Sequence, residues 1–279
     1  MKTIIDAHHH FWNFDADQYK WMDDSMSVLK RDYLPRDLKE EILNTRVTGT
    51  VVVQARQIVE ETRWLLELAD EYSYIMGVVG WVDLCSPGLR KQLEEFARHP
   101  KLVGVRHLIH DEPDDDFMLR NAFLKGIEML RDFNLTYDLL LFPRHLNRAR
   151  KLVSMFPEQR FILDHISKPF INKGILQPWK DDILSLSAYP NVWCKISGMV
   201  TEADHSGWKF GDFVPYMNVV LEGFGTRRIM LGSDWPVCRL AGEYTEVMSI
   251  PLEFMSDMNE EEKKRIYKLN AIECYQLDK

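Results

Sequence analysis

Eight short apolar runs, rich in β-branched residues and spread along the whole chain, constrain this sequence more than any other feature: residues 3–8, 48–54, 75–82, 102–108, 135–142, 161–164, 192–196 and 229–231. Each is continuous rather than alternating, the pattern of a strand covered on both faces. Between them, apolar residues recur at three- and four-residue spacing, as in Leu38, Ile42 and Leu43, in Leu89, Leu93, Phe96 and Ala97, and in Leu146, Ala149, Leu152 and Val153. That spacing predicts amphipathic helices. Pro35, Pro87, Pro143 and Pro178 stand near the heads of such patterns, where a missing N–H costs nothing. Strand and helix therefore alternate through the chain, which predicts an α/β fold: a parallel sheet wrapped by helices and closed into a (β/α)8 TIM barrel. No G-x-G-x-x-G follows a strand, so the main signature of an open doubly wound sheet is missing. A last helix is expected over residues 260–277.

The length of 279 residues suits one such barrel, and no composition break marks a second, so residues 1–279 are read as a single domain. A net charge of −8 without any Lys/Arg run argues against nucleic acid as a partner. Cys85, Cys194, Cys238 and Cys274 lie far apart with no C-x-x-C pair, as reduced thiols of a cytoplasmic protein do. The N-terminus lacks a basic, apolar leader, and no stretch approaches the roughly eighteen apolar residues of a membrane helix, so neither export nor membrane insertion is expected. Residues 11–32, rich in Trp, Asp and Met, exceed an ordinary strand-to-helix connection and are expected to cap the site.

Reactive groups of a barrel sit at the carboxyl ends of its strands, so the residues that finish each run are the candidates. Three runs finish in imidazole or carboxylate: Ile4-Ile5-Asp6-Ala7-His8-His9-His10, Phe161-Ile162-Leu163-Asp164-His165 and Ile229-Met230-Leu231-Gly232-Ser233-Asp234. A buried group of that kind needs a ligand, a partner or solvent. His8 and His10, two apart on a strand, share one face, with His9 on the other. Strand two offers Gln54, strand four Arg106 and His107, strand five Tyr137 or Asp138, and strand seven Lys195. Arg106, Lys168 and Lys195 are either solvent-facing cations or, converging on one rim, substrate contacts. Trp12, Trp81 and Trp235 serve either as barrel plugs or as stacking faces for a sugar ring. The acidic run 111–116 reads as a solvated turn plus helix N-terminal charge, and His99, His145 and His205 as surface residues.

These segments resemble a known family. The strand-one D-x-H-x-H followed by Phe11-Trp12, the stretch from Gly104 to Pro113 around Arg106-His107, Leu163-Asp164-His165-Ile166-Ser167-Lys168-Pro169, Cys194-Lys195-Ile196-Ser197-Gly198 and Gly232-Ser233-Asp234-Trp235-Pro236 are similar to the amidohydrolase superfamily, in the branch of the sugar-acid lactonases and the pyrone-dicarboxylate lactonase. The resemblance runs over nearly the full chain and implies a hydrolase in which His8, His10, His165 and Asp234 surround the reacting carbonyl. Metal-dependent members add a strand-five histidine and a strand-four Lys or Glu. This chain has Tyr137-Asp138 and Arg106-His107 there, which disfavours two metals. The four residues would either hold one divalent ion such as zinc or work without a metal, Asp234 then acting as general base on water while imidazole N–H groups, Arg106 or a lysine stabilise the oxyanion.

Single cations, Gln54, His107 and tryptophans suit a polyhydroxylated ring, whereas a planar dicarboxylate would ask for several arginines, and only Arg106 and Arg239 are at hand. The expected substrate is therefore a small-molecule aldonolactone, with fucono-, rhamnono- or galactonolactone suggested by the resemblance, bound by Trp12, Gln54, Arg106, His107, Lys168, Lys195 and Trp235. The competing readings are a metal-dependent decarboxylase of a related branch and a barrel that only binds a sugar acid. The sequence does not specify the oligomeric state, although barrels of this type often pair through surface helices as homodimers.

Overall fold

The computed structural model describes residues 3–277. Its strands are β1 (Ile4–His9), β2 (Val47–Val53), β3 (Ile75–Gly80), β4 (Leu102–His107), β5 (Thr136–Leu139), β6 (Phe161–Leu163), β7 (Val192–Ile196) and β8 (Ile229–Leu231). They pair in parallel in chain order. The two ends of the sheet meet where Asp234 N–H donates to His8 O at 2.8 Å and His10 N–H donates to Trp235 O at 2.7 Å. A (β/α)8 barrel results.

The outer ring is α1 (Pro35–Ile42), α2 (Val59–Glu71), α3 (Leu89–Phe96), α4 (Asn121–Leu130), α5 (Leu146–Met155), α6 (Trp179–Ser187), α7 (Phe210–Phe224) and α8 (Tyr244–Phe254), one after each strand. Ile4, Val52, Val78, Val105, Leu139, Leu163 and Leu231 pack with the buried faces of these helices. Ile5, Ala7, Val51, Val53, Val79, Val103, Ile162 and Met230 form a second, inner cluster, closed at one end by Ala271, Cys274 and Tyr275. Period-two alternation thus divides each strand between two cores.

The last helix is not continuous. α9 (Glu260–Lys264) passes through a π-helical turn (Arg265–Leu269) into α10 (Asn270–Tyr275), and the buried Asn270 amide donates to Ile229 O at 2.7 Å, docking the turn on β8. β3 and β5 stop short of residues 82 and 142, because Val82, Leu140 and Leu141 are buried in the rim rather than in the sheet. Apolar content does not separate the two cases. Residues 11–32 fold back over the mouth: Trp12 and Tyr33 exchange backbone hydrogen bonds of 3.0 and 2.9 Å, and the Trp12 indole N–H donates to Arg31 O at 2.9 Å. Among the described residues no helix is long and apolar enough to cross a membrane.

Gly126 shows how closely the layers approach. A Cβ there would lie 2.3 Å from Leu84 O, a backbone atom that cannot swing away. Gly126→Ala is expected to lower the unfolding free energy by about 1–3 kcal/mol, measured by urea denaturation, and a value within error of wild type would mean that α4 slides freely on the rim after β3.

Candidate active site

At the carboxyl mouth of the barrel lies a cavity of about 310 Å³. Asp234, buried at the end of β8, is its focus. Its Oδ1 lies 3.4 Å from His10 Nε2, 3.8 Å from His8 Nε2 and 3.7 Å from His165 Nε2. Three strands distant in sequence thus aim at one carboxylate oxygen.

The backbone is bent hard to achieve this. Asp234 has φ of +58°, and His165, Ile166, Ser167 and Lys168 form an unbroken left-handed turn with φ of 52°, 47°, 62° and 49°. Each non-glycine residue in that region costs roughly 1–2 kcal/mol, more for β-branched Ile166. The turn is held by burial of Ile166 and by the Trp179 indole N–H, which donates to Ile166 O at 2.8 Å. Gly198 leaves room for it, since a Cβ there would sit 2.4 Å from His165 Nδ1. A register shift between Asp6 and His9 in β1 lets Asp6 accept from Ser233 N–H at 2.9 Å and from the Tyr244 hydroxyl at 3.0 Å, while His8 turns into the site.

Beneath His8 lies a charged floor. Lys195 Nζ is 2.6 Å from Asp138 Oδ2, 2.9 Å from Asp164 Oδ1 and 3.1 Å from His8 Nδ1. Arg106 Nη1 is 3.1 Å from Asp164 Oδ2 and 3.3 Å from His8 Nε2, and Arg106 Nη2 donates to Gln54 O. The Tyr275 hydroxyl donates to Asp138 Oδ2 at 2.7 Å. Burial, with Lys195 and Arg106 beside it, pushes His8 well below the usual imidazole range, and burial does the same to His165, so both rings are neutral at pH 7. Burial raises the Asp234 carboxyl, but His165, His10 and Lys168 outweigh it and hold it below the ordinary carboxylate range. Asp164 is likewise held low against its burial, by Lys195 and Arg106. Asp138, buried and facing Asp164, is pushed up to about 6.

His8, His10, His165 and Asp234 thus come together, and Arg106, Lys168 and Trp12 line the cavity. Four expected substrate contacts do not. Lys195 is fully buried in the floor, held by two aspartates. Gln54 is buried beneath Arg106, its side-chain N–H donating to Arg106 O at 3.2 Å. His107, one residue from Arg106, faces the opposite side of β4, where it stacks on Phe117 and meets Glu112 at 2.7 Å. Trp235 is a plug, packed edge-on against Tyr33 and Phe11. Arg239 pairs with Glu243 outside the cavity lining. Conversely, His205, read as a surface residue, and Asp111, read as a solvated turn, both line the cavity, together with His110, Trp21 and Met26. His145, also read as exposed, is buried against Asp115. The signal missed was Asp164: next to His165, it is the carboxylate on which both buried cations converge.

The donors at the mouth suit a divalent ion in type and spacing. His8, His10 and Asp234 form one group whose ligand atoms lie within 4.8 Å of one another, and His8, Asp164 and His165 form another. His10 Nδ1 can only donate to Val53 O at 2.8 Å, so a neutral His10 turns a bare lone pair toward the Asp234 carboxylate, and a proton, a water hydrogen or a cation must lie between them. A second ion has no room, because Arg106 and Lys195 fill the space between His8 and Asp164.

Comparison with known proteins bears on the same site. The amidohydrolase family (Amidohydro_2) matches residues 5–277. An L-fucono-1,5-lactonase of Burkholderia multivorans is 37% identical over 98% of this chain and 96% of its own. One from Burkholderia ambifaria is 37% identical over 88% of this chain and 84% of its own. A crystal structure of a Burkholderia multivorans amidohydrolase with bound zinc superimposes with a TM-score of 0.95 at 36% identity, covering 98% of this chain and 99% of the other.

Removing Asp164 tests the floor. Asp164→Ala leaves Arg106 and Lys195 short of a counter-charge, and the unfolding free energy at pH 7 should fall by about 3–5 kcal/mol. Because the native carboxyl is held low, its contribution is complete at neutral pH and is lost as pH falls through its depressed value, so the gap to wild type should narrow only below about pH 4. Denaturation at pH 7 and pH 3 measures both, and an equal gap at the two values would discard the ionic account.

Proposed function

The chain belongs to the amidohydrolase family, and on that premise we propose that it is a lactonase that opens the ring of a six-carbon sugar-acid lactone, L-fucono-1,5-lactone or a near relative. The observation that carries this reading is the ionised Asp234 carboxylate ringed by three imidazoles at the barrel mouth, in a largely apolar cavity.

Asp234 is the general base. It takes a proton from water as the water oxygen attacks the lactone carbonyl, and Arg106 and Lys168, with any imidazole N–H directed there, stabilise the developing oxyanion. Collapse breaks the ring C–O bond, the proton held on Asp234 passes to the departing ring oxygen, and the hydroxy acid formed then ionises. His10, held through Val53 O, and His165, held through Ser197 Oγ at 2.9 Å, fix where the water sits. Trp12, Trp21 and Met26 cover the apolar edge of the sugar, while Lys168, His110, Asp111 and His205 face its hydroxyls. A divalent ion bound by His8, His10, His165 and Asp234 would supply polarisation of the carbonyl and a more acidic water.

The test is turnover of a panel of aldono-1,5- and 1,4-lactones, followed by proton release, with chelated and zinc-supplemented protein side by side. Asp234→Asn should lower kcat by about 10²- to 10⁴-fold while lactone binding persists. Since Asp234 is held below its ordinary 3.8, the acid limb of kcat/KM should lie below that value and the rate should be flat from pH 5 to 7. An acid limb between pH 5 and 7 would transfer the base to an imidazole. Silence on every lactone with carbon dioxide release from an aromatic acid would overturn the lactonase reading.

A further inference from the structure

His8 touches both buried cations, and the protons in that contact do not all fit. An ammonium has three hydrogens and no lone pair, so each group it meets must accept. Lys195 donates to Asp138 Oδ2 at 2.6 Å and pairs in charge with Asp164 Oδ1 at 2.9 Å, and His8 Nδ1 at 3.1 Å is its other hydrogen-bonding neighbour. Arg106 Nη1 faces the other ring nitrogen, Nε2, at 3.3 Å. A neutral imidazole offers one lone pair, not two. Lys195 is fully buried, and among the described residues its hydrogen bonds run to Asp138 Oδ2 and His8 Nδ1, whereas Arg106 lines the cavity and its Nη1 already has Asp164 Oδ2 at 3.1 Å.

We propose that Lys195 is a positioning residue that fixes the tautomer of His8: its ammonium claims the Nδ1 lone pair, and Nε2 carries a hydrogen aimed at the mouth, toward Asp234 Oδ1 at 3.8 Å. In this state His8 is a hydrogen-bond donor to whatever occupies the cavity. The same proton blocks Nε2 as a metal ligand. The alternative tautomer is already prepared, because Asp164 Oδ1 lies 3.3 Å from His8 Nδ1 and would accept its hydrogen if Lys195 were gone. A carboxylate behind a histidine in that position is the usual support of a metal-binding imidazole. Lys195 therefore keeps His8 in its donor form and holds down the affinity of the mouth for a divalent ion. This inference concerns a ring proton and needs no substrate, so it stands or fails separately from the lactonase reading.

Two-bond 15N–1H correlation of the histidine rings in metal-free wild-type protein at pH 7, with His8 assigned by its loss in His8→Gln, should show a bare Nδ1 and a protonated Nε2. In Lys195→Met the pattern should invert, and zinc affinity, measured by competition with a chromophoric chelator, should rise at least ~10-fold beyond the rise in Lys168→Met. That second variant removes an equal charge from the cavity wall but leaves the neighbours of His8 intact. Should Lys195→Met fail to fold, Lys195→Met with Asp138→Asn removes the carboxylate left without its cation and carries the same expectations. A protonated Nδ1 in the wild type, or an unchanged tautomer in the lysine variant, would overturn the proposal. Equal zinc gains in the Lys195 and Lys168 variants would reduce Lys195 to a plain electrostatic term.

Discussion

The rest of the site depends on one ammonium, that of Lys195, buried between Asp138 and Asp164 under the first histidine. Taking an ion out of water costs several kcal/mol even after relaxation, and an apolar plug of similar volume would fill the barrel at less cost. What the ion pair adds is placement. Lys195 joins β7 to β5 and to the end of β6, and Arg106 brings in β4, so two carboxylates, Asp138 and Asp164, tie four neighbouring strands together. Charge neutrality in the floor also leaves the buried Asp234 as the ionic demand at the mouth.

The mouth is built on a different principle. There the polar groups are arranged around an atom that is not their own, and distances of 3.4 to 3.8 Å to Asp234 Oδ1 are too long for finished hydrogen bonds yet suited to a shared water or ion. The capping segment adds the apolar wall: Trp12 is fixed through both its backbone and its indole N–H, and Trp21 and Met26 complete the face. One side of the cavity therefore repels water while the other orders it, an arrangement suited to a sugar ring with one bare edge.

The barrel, and the meeting of His8, His10, His165 and Asp234 at its mouth, were legible because strand ends follow from periodicity. Continuous apolar runs, helical spacing between them and polar residues at the run ends specify strand, cover and rim. The floor was less legible. A lysine near a strand end has the same pattern whether it reaches substrate or an aspartate inside the barrel, and it is the strand order β5-β6-β7 that brings Lys195 to Asp138, 57 positions away. His107 was misplaced for a simpler reason: it neighbours Arg106, and consecutive strand residues cannot both face inward. His205 and Asp111 lie on connections after strands, whose paths depend on loop packing that no period encodes.

The seam between β8 and β1 has one more consequence. The two backbone hydrogen bonds that close the sheet involve Asp234, His8 and His10 themselves, so closing the barrel and bringing the Asp234 carboxylate to the imidazoles are one arrangement. A chain with seven strands in place and the eighth adrift has its histidines but nothing opposite them. Opening that seam would therefore separate Asp234 from His8 and His10 in the same step that opens the barrel.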